Sequence, residues 1–409
     1  MTKKILKQVL EEIKPEKEKV SEVEAFLKKL DAEIKKNKIK AKAVTGGSYA
    51  KNTWLKGDYD VDIFVKFDMK HANDDLSKLL AKILKKFKPE TVHGSRDYFW
   101  VKNMIKFEIV PVLDIKKAKQ AQNVTDFSPG HVKWVNTKGK KYKDDIRLAK
   151  RFVKVNGVYG AESYIQGFSG HVIDILVIYY KGFIPLLRAS QKWKPKQIID
   201  PTGKVGKKAT MILNKSKTHG PMIVIDPVQP ERNAAAALNL KNFDYFIKCA
   251  KDFLKKPSKE YFEYKKFDDE YFKKKGHLMF IDVTVPEGKE DPVGAKLLKA
   301  YQFIRGKLKD FEPVEGGWSW DKQKKATFGY VVKKKKLPET YYRPGPPVEM
   351  KEQVKVFKKK HKKTKVNKGR IVAEIKNKNR DLKKYLEKEV FSDKYLKGKV
   401  KKCKLTSLS

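Results

Sequence analysis

The chain has 409 residues and carries 95 lysines and arginines against 49 aspartates and glutamates, a formal net charge of +46. An excess of this size predicts an extended positive field that attracts a polyphosphate partner, and its lysines suit non-specific contact with a nucleic-acid backbone. Two cysteines without a Cys-x-x-Cys pair argue against a disulfide framework and a zinc site, and the short apolar runs predict a cytoplasmic protein with no membrane partner.

The first 120 residues combine helix and strand patterns, and we interpret them as a head domain with a mixed sheet. Apolar positions at three-four spacing indicate helices, and short apolar runs bounded by turn residues indicate strands. The predicted elements are helices over residues 16–36 and 75–87 and strands over residues 41–44, 60–67, 99–102 and 104–112.

Residues 121–259 read as a central helical domain. A helix from Asp144 is predicted to stop at Asn156-Gly157, and Ser169 is predicted to cap a nearly all-apolar helix over residues 171–180. Another helix is predicted over residues 242–255, with a short strand at 222–225. On the apolar helix, His171 is interpreted as a packed or capping histidine rather than a metal ligand.

Residues 260–409 predict a C-terminal ferredoxin-like or RNA-recognition-like α+β body with a short tail. The predicted elements are strands over residues 277–285, 326–332 and 370–375 and helices opened by Asp291 and Asp381, the latter taken as the final helix. Lysine runs at 333–336 and 358–365 stand near aromatic residues. They are either solvated loops or part of an RNA-binding face, and both interpretations stay open.

The most informative stretch is Gly47-Ser48, separated by eleven residues from Asp60-Val61-Asp62. A glycine turn lets backbone N–H groups and a hydroxyl approach a triphosphate. Asp60 and Asp62 are two apart on a predicted strand, so both carboxylates point to one face. A later apolar strand carries Glu108. Paired hard oxygen ligands on rigid strands suit Mg²⁺, and the pattern predicts metal-dependent nucleotidyl transfer.

These residues closely resemble the archaeal, class I tRNA CCA-adding enzymes of the polymerase-β-like nucleotidyltransferase superfamily. The similarity continues more loosely into the last third of the chain, through the β-α-β order and residues 343–346 (RPGP). The matching blocks are residues 47–55 (GSYAKNTWL), 60–62 (DVD), 108–111 (EIVP), 128–134 (SPGHVKW), 156–162 (NGVYGAE) with 167–170 (GFSG), and 225–228 (IDPV) with Arg232-Asn233.

The resemblance implies an enzyme that adds C, C and A to tRNA 3′ ends from CTP and ATP without a nucleic-acid template. It implies two Mg²⁺ ions held by Asp60, Asp62 and Glu108. A homodimer is a further option. The nucleotide-binding residues that the resemblance implies are Gly47, Ser48, Lys51, Ser128, His131, Lys150, Tyr159, Arg232 and Asn233. Among them, Arg232 is expected to read the Watson–Crick edge of the incoming base.

Some positions depart from the family pattern. Many relatives have Glu at the first carboxylate and Asp at the third, the reverse of Asp60 and Glu108, and Asp114 is a fallback ligand. Lys51 stands where arginine is frequent, so a bidentate contact is lost there. Two other functions are weighed: a poly(A) polymerase or oligoadenylate synthetase-like enzyme, and a catalytically silent RNA-binding protein. The complete carboxylate set argues against silence, and Arg232 argues against an enzyme that adds only A.

Overall fold

The computed structural model describes residues 2–15, 19–58, 60–102, 105–264, 269–378 and 380–408. It contains two compact units, Met1–Lys265 and Lys266–Ser409. The predicted division at residue 120 falls inside the first unit. Two predicted boundaries, the helix start at residues 16–18 and the strand start at Met104, lie outside the described residues.

The first unit contains the predicted helices and strands together with elements that were not predicted. Its strands are β1 (Ala41–Thr45), β2 (Asp60–Phe67), β3 (Glu90–Val92), β4 (Tyr98–Lys102), β5 (Lys106–Leu113), β6 (Gln197–Ile199) and β7 (Met222–Val224). Its α-helices are α1 (Thr2–Ile13), α2 (Lys19–Lys36), α3 (Gly47–Ala50), α4 (Leu76–Leu84), α5 (Ser128–Lys138), α6 (Lys143–Val155), α7 (Gly170–Tyr179), α8 (Phe183–Ser190), α9 (Ala209–Ile212) and α10 (Leu240–Lys255). The elements that were not predicted are the helices α1, α3, α5, α8 and α9 and the strands β3 and β6.

A five-stranded mixed sheet organises the head, as predicted. Its order is β1-β2-β5-β4-β3, and β2 and β5 are its parallel pair. One face packs on α2 and α4 through a core that includes Leu30, Ile63, Leu80 and Ile109, all nearly inaccessible to solvent. Side chains alternate between the two faces of a strand. The residues of β2 and β5 that fill this core lie on one face, and the residues between them project from the other face.

The helices of the central region share a separate core. Helix α7 is apolar on nearly all sides, and its residues Ile173 and Leu176 are fully buried against α6, α8 and α10. The hydroxyl of Ser169 accepts a hydrogen bond from the Val172 N–H at 3.2 Å, so the predicted N-cap is confirmed. One carboxylate, Asp174, lies on this apolar helix.

The second unit has a β-α-β-β-α-β core with an insertion. Its four-stranded antiparallel sheet has the order β14-β8-β10-β9, and the insertion forms a three-stranded sheet of order β11-β13-β12. Its strands are β8 (His277–Thr284), β9 (Pro313–Trp320), β10 (Lys325–Val332), β11 (Thr340–Pro347), β12 (Thr364–Asn367), β13 (Arg370–Lys376) and β14 (Lys402–Leu408). Its α-helices are α11 (Asp269–Lys275), α12 (Glu290–Lys307), α13 (Lys351–Lys360), α14 (Leu382–Tyr385) and α15 (Lys394–Lys397).

Two predictions about helices in this unit were wrong: the cap at Asp291 and the placing of the helix after Asp381 as the final one. Asp291 does not cap α12, because Lys289 occupies the N-cap position and Asp291 lies in the first turn, where its charge favours the helix dipole. Asp381 does cap α14 by accepting a hydrogen bond from the Lys384 N–H at 2.9 Å. That helix is not the last element, since α15 and β14 follow it.

Candidate active site

Three neighbouring strands place two carboxylates and an indole in one row. Asp62 on β2 pairs with Glu108 on the parallel strand β5, and Glu108 pairs with Trp100 on the antiparallel strand β4. Paired residues project to the same face of a sheet. The Trp100 Nε1–H donates a hydrogen bond to Glu108 Oε2 at 3.1 Å. The structure therefore brings Asp62 and Glu108 together, as the sequence predicted.

Asp60 lies at the edge of this row. It precedes Asp62 by two residues, its side chain is 72% exposed, and its Oδ1 lies 3.4 Å from Lys106 Nζ. The one described set of three His, Cys, Asp or Glu residues whose ligand atoms all lie within 4.8 Å of one another is a different one. Asp60 is the first residue of β2, which accounts for its exposure. Asp114, the fallback ligand, pairs instead with Lys66 at 2.7 Å.

The glycine turn contacts Asp62 directly. Gly47 has φ of +51°, and a Cβ there would lie 1.6 Å from Asp62 Oδ2. The preceding Gly46 N–H donates to the Asp62 backbone carbonyl at 2.7 Å. Only glycine combines this backbone angle with this close approach. The turn continues into α3, which contains Ser48 and contacts β2 and α5, the helix that Ser128 opens.

Both carboxylates of the row have raised pKa values. Burial and the neighbouring Asp62 together raise the pKa of Glu108 to about 6, against the opposing effect of the Trp100 hydrogen bond. Burial also raises the pKa of Asp62, with Lys51 opposing and Asp60 adding to the increase. A divalent cation bound between two adjacent carboxylates would favour their ionised forms and lower their pKa values. The pair therefore fits a hard metal ion.

A second cluster surrounds Asp174, which is fully buried on α7. Its Oδ2 lies 2.8 Å from Lys51 Nζ and its Oδ1 lies 3.1 Å from Lys150 Nζ. Lys150 also donates to the Thr53 hydroxyl at 2.9 Å. Burial would raise the pKa of Asp174, but the two lysines hold it at about 2, while burial lowers the pKa of Lys150. One carboxylate thus pairs with both lysines that were predicted to bind the nucleotide.

Tyr159 lies close to this cluster. A Cβ on Gly170 would lie 2.8 Å from the Tyr159 hydroxyl, so the start of α7 packs directly against that oxygen. Burial raises the pKa of Tyr159, and the nearby carboxylates, Asp174 first among them, raise it further. The phenol therefore stays protonated and keeps its capacity to donate a hydrogen bond at neutral pH.

A third cluster is centred on Asp226, which is also fully buried. Its Oδ1 accepts the backbone N–H groups of residues 228 and 229 and lies 3.0 Å from His131 Nε2. Its Oδ2 lies 3.2 Å from Arg232 Nη1 and 3.4 Å from His171 Nε2. Burial alone would raise the pKa of Asp226, but the two histidines hold it well below its usual range. Asp226 therefore organises two of the predicted nucleotide-binding residues, His131 and Arg232.

The two histidines and Asp226 form the set with ligand atoms within 4.8 Å. The ring centroids of His131 and His171 are 4.1 Å apart, and burial lowers the pKa of His171 to about 4. Arg232 places a permanent positive charge on the same carboxylate, which opposes a metal ion there. His171 is thus packed in a polar cluster, and Ser169, not His171, is the N-cap of α7.

Arg232 and Asn233 have different surroundings. The Arg232 side chain is 46% exposed, so part of its guanidinium faces solvent. The buried Asn233 amide accepts the N–H groups of Val224 and Ala235 and donates to the carbonyls of Lys217 and Met222. These four bonds use the hydrogen-bonding capacity of the amide. A direct contact of Asn233 with a nucleotide would require the loss of one of them.

Comparison with known proteins supports a nucleotidyltransferase. Family models match residues 144–263 (tRNA nucleotidyltransferase, second domain), 276–405 (CCA-adding enzyme, C-terminal domain) and 1–149 (Second Messenger Oligonucleotide or Dinucleotide Synthetase domain). The CCA-adding enzyme of Sulfurisphaera tokodaii is 32% identical over 84% of this chain and 81% of its own length. The chain belongs to the CCA-adding enzyme family.

Other relatives agree. The CCA-adding enzyme of Methanosarcina mazei is 29% identical over 94% of the chain and 88% of its own length. That of Nanoarchaeum equitans is 40% identical over 63% of the chain, which spans 65% of that relative. The solved Cid1 poly(U) polymerase matches 64% of the chain and 98% of its own with a TM-score of 0.52 at 14% identity, a similarity of fold. No helix in the described part of the chain has both the length and the apolarity needed to cross a membrane.

Three residues that contact the predicted site residues of this CCA-adding enzyme were not identified from the sequence. They are Trp100, Asp174 and Asp226. A single carboxylate in an apolar helix was a usable signal for Asp174, because such a charge is buried only with a partner. Trp100 had no comparable signal, since its role depends on its register with Glu108.

Replacement of Glu108 by glutamine is expected to stabilise the metal-free protein at pH 7 by about 1–2 kcal/mol. Because the folded-state pKa of Glu108 is raised to about 6 from 4.5, the folded protein binds more protons between these values and loses stability as pH rises through them. Urea unfolding of the metal-free protein between pH 4 and 8 measures the effect, which should vanish below pH 4.5. Glu90→Gln, an exposed change on β3, is the control. A Glu108→Gln variant that is no more stable than wild type at pH 7 would contradict the raised pKa.

Proposed function

We propose that this chain adds C, C and A in turn to the 3′ end of tRNA, using CTP and ATP without a template and releasing pyrophosphate. The observation that carries the proposal is the Asp62–Glu108 pair on adjacent parallel strands, in a chain whose relatives are CCA-adding enzymes. A silent RNA-binding protein would gain nothing from clustered anionic groups beside a polyanion. The match of residues 276–405 to the CCA-adding C-terminal domain favours this activity over a poly(A) polymerase or an oligonucleotide synthetase.

Asp60, Asp62 and Glu108 would hold two Mg²⁺ ions. When bound, these ions would lower the pKa of the attacking tRNA 3′-hydroxyl and neutralise the leaving pyrophosphate. The protein's own contribution is to keep the carboxylates in one row on rigid strands. Asp60, at the exposed edge of the row, would complete the set.

The triphosphate would contact Ser48, Lys51, Lys150 and Tyr159 beside the Gly47 turn. The two lysines are already aligned by Asp174, so little side-chain ordering remains when an anion binds. Ser128 and His131 would lie near the nucleotide or the primer end.

Arg232 would donate to the edge of the incoming base, while Asn233 holds the adjoining loop through its backbone bonds. The proposal also includes tRNA as the RNA partner and a cytoplasmic location. The proposal further includes a homodimer, and light scattering of the purified chain would measure its oligomeric state.

The direct test supplies each of the four nucleotides with Mg²⁺ to three tRNA substrates, ending before CCA, after the first C and after the second C. We expect CTP to be used on the first two and ATP on the third, with addition stopping at CCA. Continued A addition would favour a poly(A) polymerase. The absence of addition with every nucleotide would favour a silent RNA-binding protein.

Arg232→Ala is expected to impair nucleotide selection more than chemistry. A fixed guanidinium discriminates among base edges by about 1–3 kcal/mol, so use of CTP relative to UTP should fall about tenfold or more. Competition between labelled CTP and UTP on tRNA lacking CCA measures this ratio. Arg188→Ala, on α8, is a control for general loss of charge. An unchanged CTP preference would show that Arg232 serves only its ion pair with Asp226.

A further inference from the structure

Trp100 is held in register with the carboxylate row from both sides. It pairs with Glu108 on β5 and with Glu90 on β3, so its side chain leaves the sheet on the face that carries Glu108 and Asp62. The edge and the face of its indole make different contacts. The Nε1–H at the edge donates to Glu108 Oε2 at 3.1 Å, while Lys106 Nζ lies 4.4 Å from the ring centroid.

Glu108 needs an external support of this kind. A glutamate has one more rotatable bond than an aspartate, so its carboxylate is less well fixed by the strand that carries it. The hydrogen bond to Oε2 restricts this rotation. The other carboxylate oxygen, Oε1, stays available as a ligand. Groups that orient a metal-binding side chain in this way raise metal affinity without touching the metal.

We propose that Trp100 is a positioning residue, whose indole N–H orients the Glu108 carboxylate for binding a divalent cation jointly with Asp62. This inference rests on the proposed role of Glu108 as a metal ligand. The inference concerns the indole N–H and not the whole ring. Lys106, which lies over the ring, also lies 3.4 Å from Asp60 Oδ1, so loss of the ring would also affect the surroundings of Asp60. The aromatic face lies beside the ammonium groups of Lys106 and, farther away, Lys102, while the N–H at the aromatic edge orients one carboxylate of the row.

The two contacts can be separated by substitution. Trp100→Phe keeps an aromatic face for Lys106 and removes the N–H donor. Trp100→Tyr also removes the indole N–H, and its phenol O–H lies at the far end of the ring rather than at the position of the indole nitrogen. An aromatic side chain on this face could alternatively serve as a stacking platform for an RNA base. Stacking would survive in Phe and Tyr and be lost in Trp100→Leu, so the three variants distinguish the roles.

The experiment measures Mn²⁺ binding to the full-length chain without nucleotide, by electron paramagnetic resonance of free Mn²⁺. Trp100→Phe and Trp100→Tyr should each weaken Mn²⁺ binding about tenfold, within the range typical of residues that orient metal ligands. In a Glu108→Gln background, the same Trp100 changes should have less than about a twofold effect, because the group they act through is gone. Trp318→Phe on β9 is the matched control and should leave Mn²⁺ binding unchanged.

The outcomes separate this inference from the assignment on which it rests. If Glu108→Gln does not weaken Mn²⁺ binding, the assignment of Glu108 as a ligand fails. If Glu108→Gln weakens it but Trp100→Phe and Trp100→Tyr do not, only the role of Trp100 is overturned. A stacking platform would give a different result. Mn²⁺ binding would be normal in Trp100→Phe and Trp100→Tyr, and tRNA binding would be lost only in Trp100→Leu.

Discussion

Replacing Asp62 with asparagine is expected to reduce CTP addition at least about a thousandfold while leaving tRNA binding nearly unchanged. The substitution removes a charge from the carboxylate row but keeps the volume that packs against Gly47. Loss of a metal ligand costs several kcal/mol of transition-state stabilisation, and each 1.36 kcal/mol is about tenfold in rate. Affinity for tRNA should come mainly from dispersed lysines that contact phosphates.

Single-turnover addition of CTP to tRNA lacking CCA, with filter binding of the same tRNA, measures both quantities. Asp114→Asn is the matched control, because Asp114 follows β5 and pairs with Lys66 outside the row. Its activity should stay within about threefold of wild type. An Asp62→Asn variant with activity within about tenfold of wild type would refute the carboxylate row as the catalytic centre.

The second large effect is expected at Asp174. Asp174→Asn should destabilise the protein by about 3–5 kcal/mol, because two buried lysines lose the carboxylate that compensates their charge. For a unit of this size, the change corresponds to a decrease in Tm of about 10 °C. Saturating CTP should recover part of the loss, since its phosphates would supply the missing negative charge to Lys51 and Lys150.

Thermal unfolding followed by circular dichroism, with and without CTP, tests this expectation. The control is Asp252→Asn, which breaks the exposed Lys248–Asp252 pair on α10 and should cost at most about 1 kcal/mol. Equal stability losses in the two variants would mean that the Asp174 cluster is not a desolvated ion pair. A CTP effect of the same size in wild type and Asp174→Asn would argue against a triphosphate site at the two lysines.

Local sequence patterns were sufficient for the strongly periodic elements. Helices α6 and α7, strand β2 and the cap at Ser169 follow from apolar spacing and from a single hydroxyl, and both are properties of neighbouring residues. The same local logic placed Asp60 and Asp62 on one face of a strand. Patterns failed where strands contain glycine and proline. Strands β9 and β11 carry GG and RPGP, which resemble loops and become strands through pairing with β10 and β13.

The sequence by itself determined the periodic elements, the strong positive charge and the residue types of the carboxylate row. Only the tertiary structure decided which groups support that row. Lys51 and Asp174 are 123 positions apart, and His131 and Asp226 are 95 apart, so no local pattern links them. Trp100 meets Glu108 because two antiparallel strands pair in one register, and a shift of one residue would turn the indole to the other face. Burial then makes these contacts strong, because a charge removed from water depends on the few partners that the fold supplies.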